Sequence, residues 1–385
     1  VSVTAAQGFE AAGVAVALKS TGKPDVAVVV NRGPLKVGAA VFTSNRAKAN
    51  PILWSQQAVA DGIVEAVVLN SGGANCFTGP FGFQTTHQTA EKAAELLGVS
   101  AGDVLVCSTG LIGTGDEVFR AKVLDGTAQA IAALSADGGA AASEAIMTTD
   151  TVPKRAVVTR DGWTVGGMAK GAGMLAPGLA TMLVVITTDA VLTSEEADAQ
   201  LRAATRRTFD RLDSDGCMST NDQVTLLVSG ASGIRPDAEA FAAALAEVSQ
   251  SLAVQLQADA EGASHDIAIR VVNAASEEDA VTVGRSVARN NLFKAAIFGN
   301  DPNWGRVLAA IGTTDAAFDP YDVDVSFNGV RVCTAGGPDR PREEVDLTPR
   351  ATDILIDLRV GDAAATILTN DLTHDYVHEN SAYSS

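Results

Sequence analysis

The stretch from Trp163 to Asp189 holds the residues best suited to covalent chemistry. Lys170 sits among glycines, so backbone and substrate could approach it closely. Pro177-Gly178-Leu179-Ala180 reads as a turn that delivers the chain into an apolar strand starting at Thr181. A Thr in that place is ordinarily just a β-branched strand residue. The sharper reading is an internal N-terminal nucleophile. Small residues flank the Ala180–Thr181 bond, so the Thr181 hydroxyl could attack the preceding carbonyl and shift the acyl group from N to O. Hydrolysis of that ester would free a Thr carrying both a hydroxyl and an α-amine. With an ordinary pKa of about 7.7–8.0, the amine would serve as a built-in general base.

Two glycine loops accompany this stretch, each after an apolar run. Cys107-Ser-Thr109-Gly110-Leu-Ile-Gly113 could expose backbone N–H groups, with the Thr109 hydroxyl as a further donor, and so form an oxyanion hole. The plainer reading is a strand-to-helix turn. Asn70-Ser-Gly-Gly-Ala-Asn75 reads as a loop that supports the site.

Other patterns fail on inspection. Gly171-Ala-Gly173-Met-Leu-Ala176 satisfies a permissive dinucleotide motif, but Pro177 and Gly178 break the helix that a pyrophosphate would need. His374 and His378 share a helix face, yet Glu379 follows them instead of lying between, so the zinc-protease spacing is absent. The run Asp210 to Asp222 has the acid density of a calcium loop without its register, and reads as a polar turn.

The elements that must position these loops are short β-rich runs: Val26–Val30, Ala39–Phe42, Val64–Leu69, Val104–Cys107, Ala156–Arg160, Trp163–Met168, Thr181–Thr188 and Asp222–Ser229. Helical composition covers Ala90–Leu97 and Val118–Leu134. Thr193-Ser-Glu-Glu196 supplies a capping box for a helix to about Leu212, and Pro236 opens an alanine-rich helix to about Ala260. After Asp266 the pattern is strand (Ile267–Val272), helix (Ser276–Ala295), helix (Asn303–Ile311), a hairpin through Asn328-Gly329, and a last strand pair around Gly361-Asp362. The expected class is layered α/β, with a domain boundary near residue 265: a main domain 1–265 and a smaller domain 266–385.

Of the 385 residues, 46% are hydrophobic and 19% charged, which excludes a disordered or fibrous chain. Twenty-eight Lys and Arg against 46 Asp and Glu give a net charge of -18, a field that repels phosphate backbones and anionic membranes. No apolar run approaches the roughly 20 residues that a membrane helix needs, and no secretory signal is visible. Four scattered cysteines, Cys76, Cys107, Cys217 and Cys333, read as reduced, small buried hydrophobes of a cytoplasmic protein.

The segment GGMAKGAGMLAPGLATML closely resembles the cleavage site of the ornithine acetyltransferases, also called bifunctional glutamate N-acetyltransferases. LNSGGAN (from Leu69), STGLIG (from Ser108), MTTD (from Met147), STND (from Ser219), FGNDPNWGR (from Phe298) and the terminal ENSAYSS (from Glu379) are similar to that family's landmarks, in its order. Gly178 departs from the pattern, standing where a larger polar residue, commonly Asn or Ser, is usual. The resemblance implies an αββα sandwich like that of N-terminal-nucleophile enzymes, with a smaller C-terminal α/β domain whose terminus returns to the active site. It implies self-cleavage between Ala180 and Thr181, giving an α chain 1–180 and a β chain 181–385 that assemble as an α2β2 heterotetramer.

The implied reaction moves acetyl from N-acetylornithine to glutamate through an ester on Thr181, releasing ornithine and N-acetylglutamate in arginine biosynthesis. Acetyl-CoA stays open as a second donor. Neither cofactor, metal, nucleic acid nor membrane is implied. Thr181 would be nucleophile and base, and Thr109 and Gly110 the oxyanion hole. Thr148, Lys170, Thr181, Glu261, Asn380 and the last residue, Ser385, would bind substrate. Glu261 suits an ammonium and Lys170 a carboxylate. The rival readings are a self-processing aminopeptidase or amidohydrolase, and a non-catalytic amino-acid-binding relative.

Overall fold

The structure is a computed structural model, described here for residues 2–176 and 182–382. Its first sheet orders the strands Phe9–Val14, Val26–Asn31, Ala66–Asn70 and Val104–Ser108, antiparallel except for the last pair. The second orders Val37–Phe42, Gln223–Val228, Leu183–Thr188, Trp163–Lys170 and Lys154–Arg160, antiparallel except where Gln223–Val228 runs parallel to Leu183–Thr188.

The central strands are buried along their whole length. That is why they read as unbroken apolar runs: residues of either parity need a dry partner. In the first sheet, Ala27, Val29, Val67, Leu69 and Leu105 face Met168, Leu183, Val185 and Leu227 of the second. The opposite parity, Val28, Val30, Val68 and Val106, packs on Ala90, Ala93 and Ala130 of the helices Gly79–Leu97 and Glu117–Ala132. On the far side, Val165, Val184, Ile186 and Leu226 meet Leu201, Phe241, Val248 and Leu252 of Ser194–Arg207 and Ala238–Ala258. Helices, sheet, sheet, helices: the expected αββα layering is what the chain forms.

The capping box is present. Thr193 Oγ1 accepts from Glu196 N at 3.2 Å, and the Glu196 carboxylate accepts from Thr193 N at 2.9 Å. Thr193→Ala should lower stability by about 1 kcal/mol, read as a shift of the urea midpoint without loss of activity.

A third sheet of six strands orders Gly337–Pro338, Val330–Thr334, Asp324–Phe327, Ala351–Asp357, Asp266–Ala274 and Ala363–Asn370. Burial alternates along Ala351–Asp357 and Asp266–Ala274, because one face is covered by the helices Glu277–Ala288, Asn291–Phe298 and Trp304–Ile311 while the other meets the main core only around Ala268 and Leu368.

Two expectations for this part need correction. The helix expected over Ser276–Ala295 is two helices, because the Asn290 side chain accepts from Phe293 N and starts a new one. The last two strands do not pair with each other either. Asp266–Ala274 lies between them, parallel to Ala351–Asp357 and antiparallel to Ala363–Asn370. The strand Phe9–Val14 and the helices Asn50–Ala58 and Gly139–Ala145 lie outside the elements expected from sequence.

Candidate active site

Both sheets of the sandwich end at one cavity of about 920 Å3. Trp163–Lys170 delivers Lys170 to it, and Val104–Ser108 delivers Thr109 and Gly110 from the facing sheet. Lys170 is 1% exposed, and its Nζ donates to Thr109 Oγ1 at 3.1 Å, bridging the two sheets. A donor already on that oxygen leaves the hydroxyl's own proton free to point elsewhere, and an ammonium polarises the O–H into a stronger donor.

The Thr109 loop is held by the Asn70–Asn75 loop, as the sequence suggested. Thr109 N donates to Asn70 O at 3.0 Å, Gly73 N to Thr109 O at 3.0 Å, and Ala74 N to Leu111 O at 2.9 Å. Asn221 Nδ2 ties both loops, donating to Ser108 O at 2.8 Å and Ala74 O at 2.6 Å. Gly110 has φ of 127°, and a Cβ there would stand 2.5 Å from Gly73 N, so only glycine fits. Its N–H meets no acceptor among the described residues. A free backbone donor beside a polarised hydroxyl is what an oxyanion needs.

Glu261 follows the Ala238–Ala258 helix. Its N–H donates to Ala172 O at 2.9 Å, and its carboxylate accepts from Thr149 Oγ1 at 2.8 Å and Asn380 Nδ2 at 2.9 Å. A Cβ on Gly173 would lie 2.6 Å from that carboxyl, so this glycine makes room for Glu261. Asn380 belongs to the helix His374–Ala382, which brings the C-terminal part of the chain to the site. Thr148, its N–H donating to Asp150 Oδ2 at 3.0 Å, completes the wall.

The cavity thus gathers Thr109, Gly110, Thr148, Lys170, Glu261 and Asn380. Ala180, Thr181 and Ser385 lie outside the described residues. The amide that follows residue 181, Met182 N, is fixed to Asp222 Oδ1 at 3.0 Å. Burial pushes the Asp222 carboxyl well above the usual range, against the pull of the Met182 N–H.

Charge around the cavity is uneven. Asp215, Asp259, Glu261, Asp375 and Glu379 line it, against Lys170 and Arg350. Burial first, then Glu261 and Asp375, raise the Glu379 pKa. An acidic wall with one buried cation is the complement of an amino acid, which brings an ammonium and a carboxylate.

The Asp210–Asp222 run leads into the strand Gln223–Val228, as a polar turn should, but much of it is buried. Asp213 and Asp222 are buried, Arg289 Nε donates to Asp213 Oδ2 at 2.7 Å, and Asp215 reaches the cavity and accepts from Met174 N at 2.8 Å. Paired charges and backbone donors keep these carboxylates inside. Cys217 is a correction: it is exposed and lines the cavity, whereas the other three cysteines are buried. Asp215, Asp259 and Tyr376 are lining residues that sequence reasoning missed, and the density of Asp was the one signal for the first. His374 and His378 stand at the rim, and no group of three or more His, Cys, Asp or Glu among the described residues could hold a metal ion.

Comparison with known proteins bears on what this cavity belongs to. The model of the ArgJ family matches residues 10–385. The chain belongs to the ArgJ family. Among ArgJ relatives, the arginine biosynthesis bifunctional protein ArgJ of Streptomyces coelicolor is 64% identical over 384 residues, covering 100% of each chain. The protein of the same name from Streptomyces avermitilis is 63% identical over 384 residues, again covering 100% of each. Among solved structures, the ornithine acetyltransferase of Mycobacterium tuberculosis, complexed with ornithine, is 49% identical over 47% of this chain and 96% of its own, with a TM-score of 0.45. No helix among the described residues is long and apolar enough to cross a membrane.

Proposed function

We propose that the protein is a glutamate N-acetyltransferase of arginine biosynthesis, transferring acetyl from N-acetylornithine to glutamate through an ester on Thr181. The observation that carries this reading is the bridge from Lys170 to Thr109 at the head of a cavity also lined by Gly110, Thr148, Glu261 and Asn380. Full-length identity to proteins named for arginine biosynthesis supports the pathway.

The precursor cuts itself at Ala180–Thr181, and residues 1–180 and 181–385 stay together as α and β chains of an α2β2 assembly. The freed α-amine takes the Thr181 hydroxyl proton while the oxygen attacks the acetyl carbonyl. The Thr109 hydroxyl and the Gly110 N–H hold the oxyanion. The C–N bond breaks, the proton passes to the leaving nitrogen, and ornithine departs. Glutamate then enters the same pocket, its neutral amine attacks the ester, and N-acetylglutamate leaves with Thr181 restored. Lys170 receives a substrate carboxylate and Glu261 an ammonium. Thr148, Asn380 and Ser385 complete the pocket, whose closure keeps water from the waiting ester. Residues 1–265 form the catalytic domain and 266–385 a smaller one; that the His374–Ala382 helix lines the cavity supports a terminus that returns to the site. Acetyl-CoA serves, where it serves at all, by acylating the same Thr181.

Product analysis tests the reaction. With N-acetylornithine alone, ornithine should appear in a burst equal to the enzyme, and glutamate should make turnover continuous with equimolar N-acetylglutamate. Steady acetate release that is indifferent to glutamate would make the protein a hydrolase.

A further inference from the structure

In and behind the cavity wall lie four charges, and three of them have no part in the scheme above. Lys154, fully buried, donates from Nζ to Asp150 Oδ1 at 2.6 Å and to Asp259 Oδ2 at 2.5 Å. Asp259 also accepts from Thr151 N at 2.9 Å, two residues before Glu261. The Asp150 side chain has no exposed surface; Oδ1 takes a second donor, Gly171 N at 2.7 Å, and Oδ2 takes Thr148 N at 3.0 Å. With Lys170 as the fourth member, two cations face two carboxylates, and a group so balanced and hydrogen-bonded can be buried.

Asp150 holds the backbone on two sides of the cavity at once. One of its two backbone donors is the amide next to Lys170, and the other belongs to Thr148 itself. Groups that must meet a substrate to within a fraction of an ångström depend on such supports. We propose that Asp150 is a positioning residue for the acetyl transfer: it clamps Thr148 and the Lys170–Gly171 strand end into one substrate-binding unit and supplies the charge that balances the Lys170 ammonium. The inference rests on the role given above to Lys170.

The electrostatics have a definite sign. Burial depresses the Lys170 pKa, and Asp150 is the largest influence against it. Lys154 adds to the depression, Asp222 and Glu261 oppose it, and Lys19 is a further cation facing Lys170. For Asp150, burial works against the charge, but Lys170, Lys154 and the Gly171 N–H outweigh it and hold the carboxyl below its ordinary range. Removing the Asp150 charge therefore makes Lys170 lose its proton at a lower pH, and removing Lys154 does the reverse.

The test uses Asp150→Asn, which keeps the size and can still accept a hydrogen bond, beside Lys154→Gln. The readouts are kcat/KM for N-acetylornithine against pH, and the 13C NMR titration of the Lys170 side chain. In Asp150→Asn the alkaline limb and the NMR midpoint should both fall by about one pH unit or more, with KM rising more than kcat falls. Lys154→Gln should move both midpoints upward. Unchanged midpoints in a folded Asp150→Asn protein, or shifts of the same sign in both variants, overturn the proposal. Should Asp150→Asn fail to fold, the absence of an upward shift in Lys154→Gln overturns it. Absence of transfer by the parent protein would sink the functional reading instead, and the NMR titration would still decide for or against Asp150.

Discussion

Thr181→Ala should leave a single chain of 39.3 kDa on a denaturing gel, with no transferase activity. One atom accounts for both losses. In the proposed scheme the Thr181 oxygen attacks the Ala180 carbonyl to cut the chain, and later attacks the acetyl carbonyl. Without it there is neither an N-terminal amine nor an ester. Removing a covalent nucleophile costs on the order of 10^6 in kcat. Thr181→Ser keeps an oxygen in place, so it should cut and transfer, more slowly. Cleavage of the alanine variant at the same bond would mean that another group attacks, and the assignment would fail at its first step.

The second large effect belongs to Thr109. Thr109→Val keeps the shape and deletes the hydroxyl that Lys170 Nζ meets at 3.1 Å. If that hydroxyl stabilises the oxyanion, kcat should fall by about 10^2 to 10^3, or about 3 kcal/mol of transition-state stabilisation, with KM little changed. Valine also leaves the buried ammonium without this acceptor, which costs about 1–3 kcal/mol of stability. Thr109→Ser separates the two effects, because it restores the oxygen and loses only a methyl group. A valine variant with raised KM and unchanged kcat would place Thr109 in substrate binding instead.

How much of this was legible depended on whether a residue's environment is set locally. The central strands announced themselves because burial on both faces removes the polar alternation, as in Val26–Asn31 and Ala66–Asn70. Phe9–Val14 did not, since its alanines and glycine carry little β preference. The Gly361 turn suggested a hairpin, and nothing local could show that a strand from residues 266–274 would insert between its arms.

In the site, Lys170 and Thr109 were visible through the glycines that surround them. Glu261 was not; by pattern it is a charge beyond a helix end, and it was named only through the family resemblance. Its position depends on Gly173, Thr149 and Asn380, which are distant in sequence. The Asp150–Lys154–Asp259 network was equally hidden, since buried ion pairs are made by tertiary packing and leave no spacing rule behind.

The measurement that tests the central claim most directly is intact-protein mass spectrometry before and after incubation with N-acetylornithine. Two fragments divided at Ala180–Thr181, with one acetyl mass gained by the C-terminal fragment alone and lost again on adding glutamate, are the predicted result. A single unmodified chain, or acetyl found on residues 1–180, would contradict it.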